Sequence, residues 1–308
     1  MNKIICIGSS NTDMVVRSER LPRPGESVIG GGFVMAGGGK GANQAVAIAR
    51  MGHKVIFAAA VGEDMFGDEA IARYRQYGVD TSYIVRKKTP SGIALIMVDA
   101  AAQNSISVAL GANSELSVAD VMPALDLIEP NDIVLIQLEI PMETVAACVA
   151  VAAAKGARVV LNPAPAAEVS ADVLSKLYLI TPNQTEAETL TGIEVRDEQS
   201  ARAAAEALRA KGVERVIITM GGDGALLDDG GRVEMVPAFR VNAVDTTAAG
   251  DVYNGAICAT LAYARRSDTV ADDCCYDSQN ADAEQNDVAL RLFEVVVDYT
   301  QHKGQAAT

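Results

Sequence analysis

Residues 244–255 carry the sequence VDTTAAGDVYNG, and apolar, helix-compatible residues follow it up to residue 262. We expect Ala248, Ala249 and Gly250 to form the first turn of a helix, where backbone N–H groups lack an acceptor within the helix and favour an anion. Asp251 would repel a bound phosphate, but it is well placed to take a proton from a hydroxyl group that attacks phosphorus. The stretch therefore predicts phosphoryl transfer to an alcohol. The alternative is an Asp-Thr N-cap in front of an ordinary amphipathic helix.

A second glycine-rich stretch, GGGKGANQA, occupies residues 37–45. It predicts a turn that leads into a helix over residues 42–50, and its glycines allow the backbone to approach a ligand closely. Asn43, in the first turn of that helix, can bond a sugar hydroxyl, whereas Lys40 either contacts phosphate or is solvated. The stretch is neither a Walker A loop nor a G-x-G-x-x-G fingerprint, which argues against a dinucleotide-binding oxidoreductase.

Length and charge limit the classes of protein to consider. A chain of 308 residues can form one large α/β domain or two small ones. Its 40 acidic and 26 basic residues give a formal charge of −14, which argues against a nucleic-acid partner. No apolar run approaches the ~20 residues that span a bilayer, and no signal-peptide pattern precedes the first strand. We therefore expect a cytoplasmic protein with no membrane partner.

Short apolar runs alternate with helical patterns along the chain. Buried strands are predicted over residues 3–8, 55–61, 133–138, 159–161, 177–180 and 215–219, and helices over residues 66–77, 142–155 and 199–211. Residues 225–227 and 233–236 predict an antiparallel pair. The fold class is α/β, a doubly wound, mostly parallel sheet with helices on both faces. Residues 12–34 and 91–110 predict strands of a small β-sheet lid that closes to exclude water.

Polar residues follow the predicted strands at their carboxyl ends, the edge where such sheets bind ligands. Asn11 and Asp13 are placed to hydrogen-bond a polyhydroxylated ligand, with an Asx-turn as the alternative. Glu139 adds a carboxylate at the same edge. Residues 220–224, with the sequence MGGDG, form a loop whose backbone can hold a nucleotide phosphate or base.

Asn183 and Glu186 are three residues apart at the start of a predicted helix. They share one face of its opening turn and can hold a hydrated Mg²⁺. The same spacing also fits a capping box, in which each residue satisfies the backbone N–H of the other. The residues alone leave both interpretations open.

Three motifs, GGKGANQA at residues 38–45, Asn183-x-x-Glu186 and DTTAAGD at residues 245–251, resemble in order and spacing those of the ribokinase/PfkB family of sugar kinases. The resemblance covers roughly residues 1–264 and implies one ribokinase-like kinase domain with the lid strands inserted in it. It implies phosphorylation of D-ribose at the 5-hydroxyl by ATP, giving D-ribose 5-phosphate and ADP. It also implies Mg²⁺ and K⁺ as cofactors and a homodimer formed through the lid.

The resemblance further implies a role for each matching residue. Asp251 looks like the catalytic base, and the amides of Ala248, Ala249 and Gly250 look like the anion hole. The implied ribose-binding set is Asn11, Asp13, Gly38, Gly39, Lys40, Asn43 and Glu139. The implied nucleotide contacts are Asn183, Thr219, Gly221, Gly222, Asp223 and Gly224. Glu186 is implied to bind Mg²⁺ through water, and Asp245 and Thr247 to form part of a monovalent-cation site.

The resemblance ends after residue 264. Residues 268–287 contain seven acidic side chains and neither Lys nor Arg. Such a segment buries too little apolar surface to offset the entropy of ordering it, so we expect a divergent acidic tail over residues 265–308 that is partly disordered. Two further interpretations remain open: a kinase for a related sugar such as deoxyribose, and a sugar-binding protein whose catalysis is impaired because the nucleotide wall is missing.

Overall fold

The computed structural model describes residues 2–101, 103–238 and 248–263. The predicted acidic tail over residues 265–308 lies outside the described residues, as do Asp245 and Thr247. The family motif at residues 245–251 is therefore described only from Ala248 onward.

A nine-stranded sheet forms the centre of the molecule. In spatial order its strands are β13 (Val233–Val236), β12 (Ala225–Asp228), β11 (Val216–Thr219), β10 (Leu179–Ile180), β9 (Arg158–Leu161), β8 (Ile133–Ile136), β1 (Ile4–Ile7), β4 (Val55–Gly62) and β5 (Asp80–Lys87). β12 runs antiparallel to β11 and β13, and the other neighbouring pairs are parallel. The prediction of a mostly parallel sheet is confirmed, and so is the predicted antiparallel pair, β12 with β13. The antiparallel pairing of β11 with β12 was not predicted.

Helices cover both faces of this sheet. The sequence of β1 shows what burial on both faces requires of a strand. Ile5 and Ile7 pack into one hydrophobic core, while Ile4 and Cys6 pack into the other. A strand that is buried on both faces has to be apolar at successive positions. The continuous apolar run from Ile4 to Ile7 meets that requirement.

The two cores are built by different helices. One core receives α1 (Lys40–Arg50), α2 (Met65–Gln76) and α8 (Ala249–Tyr263). The other receives α3 (Val118–Leu125), α4 (Met142–Ala154), α5 (Ala171–Leu174), α6 (Gln184–Thr191) and α7 (Glu198–Ala210). The doubly wound arrangement predicted from the alternation of strands and helices is confirmed. Among the helices of the described residues, none is both long and apolar enough to cross a bilayer.

A second sheet of four strands forms the predicted lid, in the order β3 (Phe33–Gly38), β2 (Asn11–Arg17), β6 (Gly92–Val98) and β7 (Asn104–Ala109). Its bounds differ from the prediction at one point. Gly37 and Gly38 belong to β3, where they pair with Thr12 and Asn11 of β2, so the predicted glycine-rich turn before α1 shortens to Gly39. Gly39 makes the turn with a φ of 89°, a conformation that favours glycine.

Candidate active site

The candidate site lies at the carboxyl ends of the two central strands. β1 has β8 on one side and β4 on the other, so the strand order of the main sheet reverses there. Ligands bind in the crevice outside such a reversal. Glu139 follows β8, and its Oε2 accepts hydrogen bonds from the hydroxyl of Ser9 after β1 and, at 3.1 Å, from the backbone N–H of Lys40. The loops after both strands and the start of α1 therefore converge on one carboxylate.

Asp251 is a buried carboxylate of the site, with 7% of its surface exposed. Its Oδ2 accepts a hydrogen bond of 2.9 Å from Nδ2 of Asn43, and its Oδ1 accepts one of 3.0 Å from Nε2 of Gln44. Both donors lie in the first turns of α1. The structure thus brings the GGKGANQA motif and the described part of the DTTAAGD motif into direct contact.

Close packing of two helices maintains this contact. A Cβ atom on Gly255 of α8 would lie 2.7 Å from Cβ of Ala47 and 2.9 Å from the carbonyl oxygen of Gln44. A side chain at position 255 would therefore push α8 away from α1. Because residue 255 is glycine, α8 packs close enough to α1 for Asp251 to accept hydrogen bonds from the side-chain amides of Asn43 and Gln44.

Burial raises the pKa of Asp251 above that of an ordinary aspartate because the charged form loses its solvation. The positive charge of Lys40 and the hydrogen bonds from Asn43 and Gln44 act in the opposite direction, and the charge of Glu139 raises the pKa further. The carboxylate consequently has a greater affinity for a proton than it would have in water, a property suited to a general base.

The start of α8 differs from the prediction in one respect. Ala248 lies before the helix with a φ of 61°, in the left-handed region, and is not part of the first helical turn. Its carbonyl accepts the N–H of Val252 at 2.9 Å, so the N–H groups of Ala249, Gly250 and Asp251 precede the first bond of this helix. A left-handed conformation costs a non-glycine residue about 1–3 kcal/mol, and such strain concentrates at functional sites.

Two glycines make room for the polar side chains at the base of the lid. A Cβ atom on Gly38 would lie 1.9 Å from Oδ1 of Asp13, and one on Gly39 would lie 2.7 Å from the backbone nitrogen of Asn11. Asp13 therefore lies directly over Gly38. The structure brings Asn11, Asp13, Gly38 and Gly39 together where β2 and β3 join the main domain.

Asn113 holds this region in place, although nothing in its sequence context pointed to it. It lies in a short 3-10 helix, Gly111–Glu115, after the lid. Its Nδ2 donates to Oδ1 of Asn11 at 2.8 Å, and its Oδ1 accepts the backbone N–H of Ser10, also at 2.8 Å. The side chain is fully buried, so it fixes the orientation of Asn11 from behind.

Asn183 and Glu186 adopt the capping-box geometry. Oδ1 of Asn183 accepts the backbone N–H of Glu186 at 2.8 Å, and Oε2 of Glu186 accepts the N–H of Asn183 at 2.9 Å. Burial raises the pKa of Glu186. The positive charge of Lys40 lowers this pKa, and the negative charge of Asp251 raises it further. The start of α6 is thereby linked electrostatically to the rest of the site.

Glu186 also has the chemistry of a ligand for a hydrated metal ion. Its Oε1 accepts no hydrogen bond from the described residues. Mg²⁺ retains several waters and needs only one or two protein carboxylates in addition to the phosphates of its substrate. Within residues 2–101, 103–238 and 248–263 there is no group of three or more His, Cys, Asp or Glu side chains able to enclose a metal. A single carboxylate such as that of Glu186, whose Oε1 remains available, fits a metal held through water.

Thr219 and the loop after it lie beside the start of α6. Thr219 forms a parallel bridge with Asn183, and its N–H donates to the carbonyl of Pro182 at 2.9 Å. The following turn, Gly221–Asp223, exposes Gly221, Gly222 and Asp223. Gly224 ends it with a φ of 106°, and a Cβ there would meet the carbonyl oxygen of Val236 at 1.9 Å. The predicted nucleotide residues thus share one edge of the sheet with Asn183.

A row of buried amides lies beneath Asp251, and sequence analysis missed it. Gln137 donates from Nε2 to Oε1 of Gln44 at 2.7 Å, and Gln44 in turn donates to Oδ1 of Asn162 at 2.9 Å. Asn162 donates to the carbonyl of Thr181 at 3.3 Å. Gln137 and Asn162 interrupt or follow otherwise apolar strand sequences. A polar amide in such a position was the signal that could have identified them.

Comparisons with known proteins agree with this arrangement. A model of the pfkB family of carbohydrate kinases matches residues 1–272. Ribokinase from Haemophilus influenzae is 44% identical over 256 residues, which cover 83% of this chain and 84% of the relative. Deoxyribokinase from Salmonella typhi is 40% identical over 254 residues, which cover 82% of this chain and 83% of the relative. The structure of Arabidopsis thaliana ribokinase complexed with ribose and ATP matches with a TM-score of 0.80 at 26% identity, covering 94% of this chain and 98% of that one.

Proposed function

The chain belongs to the pfkB family of carbohydrate kinases, and on that basis we propose that it transfers the γ-phosphoryl group of ATP to the 5-hydroxyl of D-ribose. The products are D-ribose 5-phosphate and ADP. The observation that carries the proposal is the position of Asp251, a buried carboxylate of raised pKa beside the N–H groups that open α8. Ribokinases among the relatives support ribose as the sugar.

Asp251 acts as the general base in this proposal. It accepts the proton of the 5-hydroxyl while the sugar oxygen forms a bond to the γ-phosphorus and the bond from that phosphorus to the β-phosphate bridging oxygen breaks. The N–H groups of Ala248, Ala249 and Gly250 stabilise the charge on the transferring group. ADP leaves with the electron pair of the broken bond.

Asn11, Asp13, Gly38, Gly39, Lys40, Asn43 and Glu139 bind the sugar in this proposal. Their carboxylates and amides are suited to its hydroxyl groups. The lid covers the sugar from one side, because the strand register puts Ala94 and Val108 on the same face as Asp13. Closure of that apolar face excludes water and so disfavours the hydrolysis of ATP.

The nucleotide occupies the edge formed by Asn183, Thr219, Gly221, Gly222, Asp223 and Gly224. Glu186 holds Mg²⁺ through water, and that ion, when bound, neutralises charge on the phosphates. Asp245 and Thr247 contribute to a K⁺ site, a role that rests on the family resemblance because both residues lie outside the described part of the chain.

We further propose that residues 1–264 form the kinase domain, that the chain acts in the cytoplasm and that it forms a homodimer through the lid. Support for the dimer comes from one face of the lid sheet. The register aligns Val16, Phe33 and Met97 on that face, and all three are exposed. Exposed apolar patches of this kind mark interaction surfaces.

Deoxyribose is the second candidate substrate, favoured by the similarity to the Salmonella typhi deoxyribokinase. The two candidates are separated by measuring ADP formation from MgATP with ribose or with deoxyribose, on the full chain and on Asp251→Asn, with and without K⁺. Ribose-dependent ADP formation that needs Asp251 and exceeds the rate with deoxyribose supports the proposal. A folded chain that binds ribose and forms no ADP would instead be a sugar-binding protein, and the proposed reaction would be wrong.

A further inference from the structure

A cleft of about 570 Å³ opens at the edge of the main sheet opposite the candidate active site. Arg158 begins β9, and Tyr178 and Arg215 come immediately before β10 and β11, so all three lie at the amino ends of strands. The candidate active site lies at the carboxyl ends. A four-residue strand separates the two edges by about 13 Å, so the cleft is a distinct site.

The walls of this cleft are basic. Its charged lining consists of four cations and one carboxylate: Arg158, Lys176, Arg209, Arg215 and Glu214. The chain as a whole has a formal charge of −14. The cleft therefore concentrates positive charge in a protein whose net charge is negative. Its volume is in the range of clefts that bind small molecules.

Three of the four cations have carboxylate partners of their own. The pairs are Lys176 with Asp172, Arg209 with Asp228, and Arg215 with Glu214. Two of those carboxylates, on Asp172 and Glu214, are largely exposed, so solvent screens their charges. These pairs leave the cleft only partly neutralised.

Arg158 is the exception. It is 4% exposed, and no carboxylate among the described residues pairs with it. Its Nε and Nη2 share one acceptor, the carbonyl of Asn131, at 3.3 Å each. Arg158 also hydrogen-bonds the side chain of Tyr178. A buried cation without a counter-ion is unfavourable, and these neutral partners do not replace the lost solvation.

The Tyr178 ring contacts two guanidinium groups of the cleft. Cζ of Arg158 lies 5.7 Å from the centroid of the Tyr178 ring, and Cζ of Arg215 lies 4.4 Å from it. Cation–π attraction holds both groups against the ring even though they repel each other. Nε of Arg215 is buried and has no hydrogen-bond partner among the described residues. Both guanidinium groups thus contact the same ring and line the same cleft.

We propose that this cleft binds a phosphate dianion, either as the inorganic ion or as a monoester of a small molecule, with Arg158 and Arg215 as its main ligands. Guanidinium groups bind phosphate oxygens through paired, charge-assisted hydrogen bonds, and a dianion neutralises two cations at once. Lys176 and Arg209 add to the attraction from the rim. The cleft has no part in phosphoryl transfer, so the proposal goes beyond the proposed kinase function and does not depend on it.

A single-tryptophan variant of the full chain tests this directly. The sequence contains no Trp, so Tyr178→Trp introduces one fluorescent reporter into the cleft. Its emission is titrated with inorganic phosphate and with ribose 5-phosphate, at an ionic strength held constant with chloride. We expect a saturable change, and we expect adding Arg158→Gln or Arg215→Gln to raise the half-saturating concentration about tenfold or more. Arg202→Gln, an exposed cation of α7 outside the cleft, is the matched control and leaves the titration unchanged.

A second measurement avoids changing Tyr178. Phosphate that binds the native state raises the thermal midpoint of unfolding, and we expect the rise to be smaller in both arginine variants than in the native chain and in Arg202→Gln. In the fluorescence titration at residue 178, equal responses to inorganic phosphate and ribose 5-phosphate identify the phosphate group alone as the ligand, and a response to the ester alone identifies a sugar phosphate. Chloride producing the same change as phosphate, or arginine variants that bind as well as the native chain, would overturn the proposal. Kinase activity is not a readout, so a failure here leaves the proposed function untouched.

Discussion

Nε2 of Gln44 donates a hydrogen bond of 3.0 Å to Oδ1 of Asp251, although 207 positions of sequence separate the two residues. The same amide bonds Asn162 and accepts from Gln137, so it ties the carboxylate of α8 to α1 and to the ends of β8 and β9. These hydrogen bonds hold the Asp251 carboxylate in one orientation before the substrates bind. Such preorganisation is the main means by which an enzyme site stabilises a transition state.

Asp251→Asn tests the role of the carboxylate. Asparagine has nearly the same shape but cannot accept the hydroxyl proton, so we expect kcat for ADP formation to fall by about 10²–10⁴ while ribose binding persists. The measurement is coupled ADP formation together with ribose binding by calorimetry. Asp126→Asn, an exposed carboxylate after α3, is the matched control. An Asp251→Asn chain that retains a tenth of the native kcat would rule out a proton-accepting role.

The pH dependence of the reaction follows from the burial of Asp251. Burial raises the pKa of this carboxyl, and the base works only in its ionised form. The rate therefore falls as the pH drops through the raised pKa, and the acidic limb of kcat/KM lies above about pH 4, where an ordinary aspartate titrates. A profile that stays flat down to pH 4, in a chain shown to remain folded there, would contradict this prediction.

Gln44→Met separates positioning from catalysis. The change removes a donor that lowers the pKa of Asp251, so we expect the acidic limb to move to higher pH and kcat to fall more than the KM for ribose rises. It also leaves the Nε2 group of Gln137 with only the weak acceptor Sγ of Cys6, at a cost of about 1–3 kcal/mol in stability. Gln199→Met, on the exposed side of α7, is the control. A pH profile identical to the native one would show that Gln44 has only a structural role.

The sequence predicts well the parts of the site that follow from strand direction. Buried strands such as β1 and β8 are visible as continuous apolar runs, and the carboxyl ends of neighbouring parallel strands meet at one edge. This rule predicts that the loops after β1 and β8, which contain Ser9 and Glu139, converge. Strand direction alone does not predict the contact between Asn43 and Asp251, because that contact depends on how closely α8 packs against α1.

The features that could not be predicted depend on tertiary contacts between side chains. Asn113 bonds Asn11 from a segment without a motif, and Gln137 lies in an apolar run where only its polarity is unusual. β5 was missed because Asp80–Lys87 mixes polar and apolar residues, as expected for the edge of a sheet. The left-handed conformation of Ala248 has no sequence signal, since only glycine adopts that region routinely.

Asp64 joins the lid to the main domain. Replacing it tests how much its hydrogen bonds contribute to stability. Its Oδ1 accepts the N–H of Gly67 at the start of α2 and the hydroxyl of Ser91, and its Oδ2 accepts the N–H of Ser91 before β6. Burial alone would raise the pKa of Asp64, but these donors hold it below its usual range. We expect Asp64→Ala to cost about 1–2 kcal/mol of stability at pH 7.

The sign of the pH effect at Asp64 is fixed by the direction of the shift. A carboxyl with a depressed pKa in the folded state stabilises the fold fully above the unfolded pKa of about 3.9, and that contribution is lost as the pH falls through the lower folded value. The difference in unfolding free energy between native and Asp64→Ala chains should thus shrink between pH 5 and pH 3 in urea titrations. Glu69→Ala, an exposed acid of the same helix, should show no such change. An equal difference at both pH values would contradict the assignment.

Leu95→Lys tests the proposed homodimer. Leu95 pairs with Met14 of β2, which pairs with Met35 of β3, and this row shares a face with Phe33 and Met97. Phe33 and Leu95 are 60% and 50% exposed, a pattern that a water-facing sheet would fill with polar residues. We expect the native chain to sediment as a dimer and Leu95→Lys as a monomer. Val233→Lys, a similar change on β13 of the main sheet, should leave the dimer intact because that strand lies outside the lid. A native chain that sediments as a monomer would leave the apolar face without the partner proposed for it.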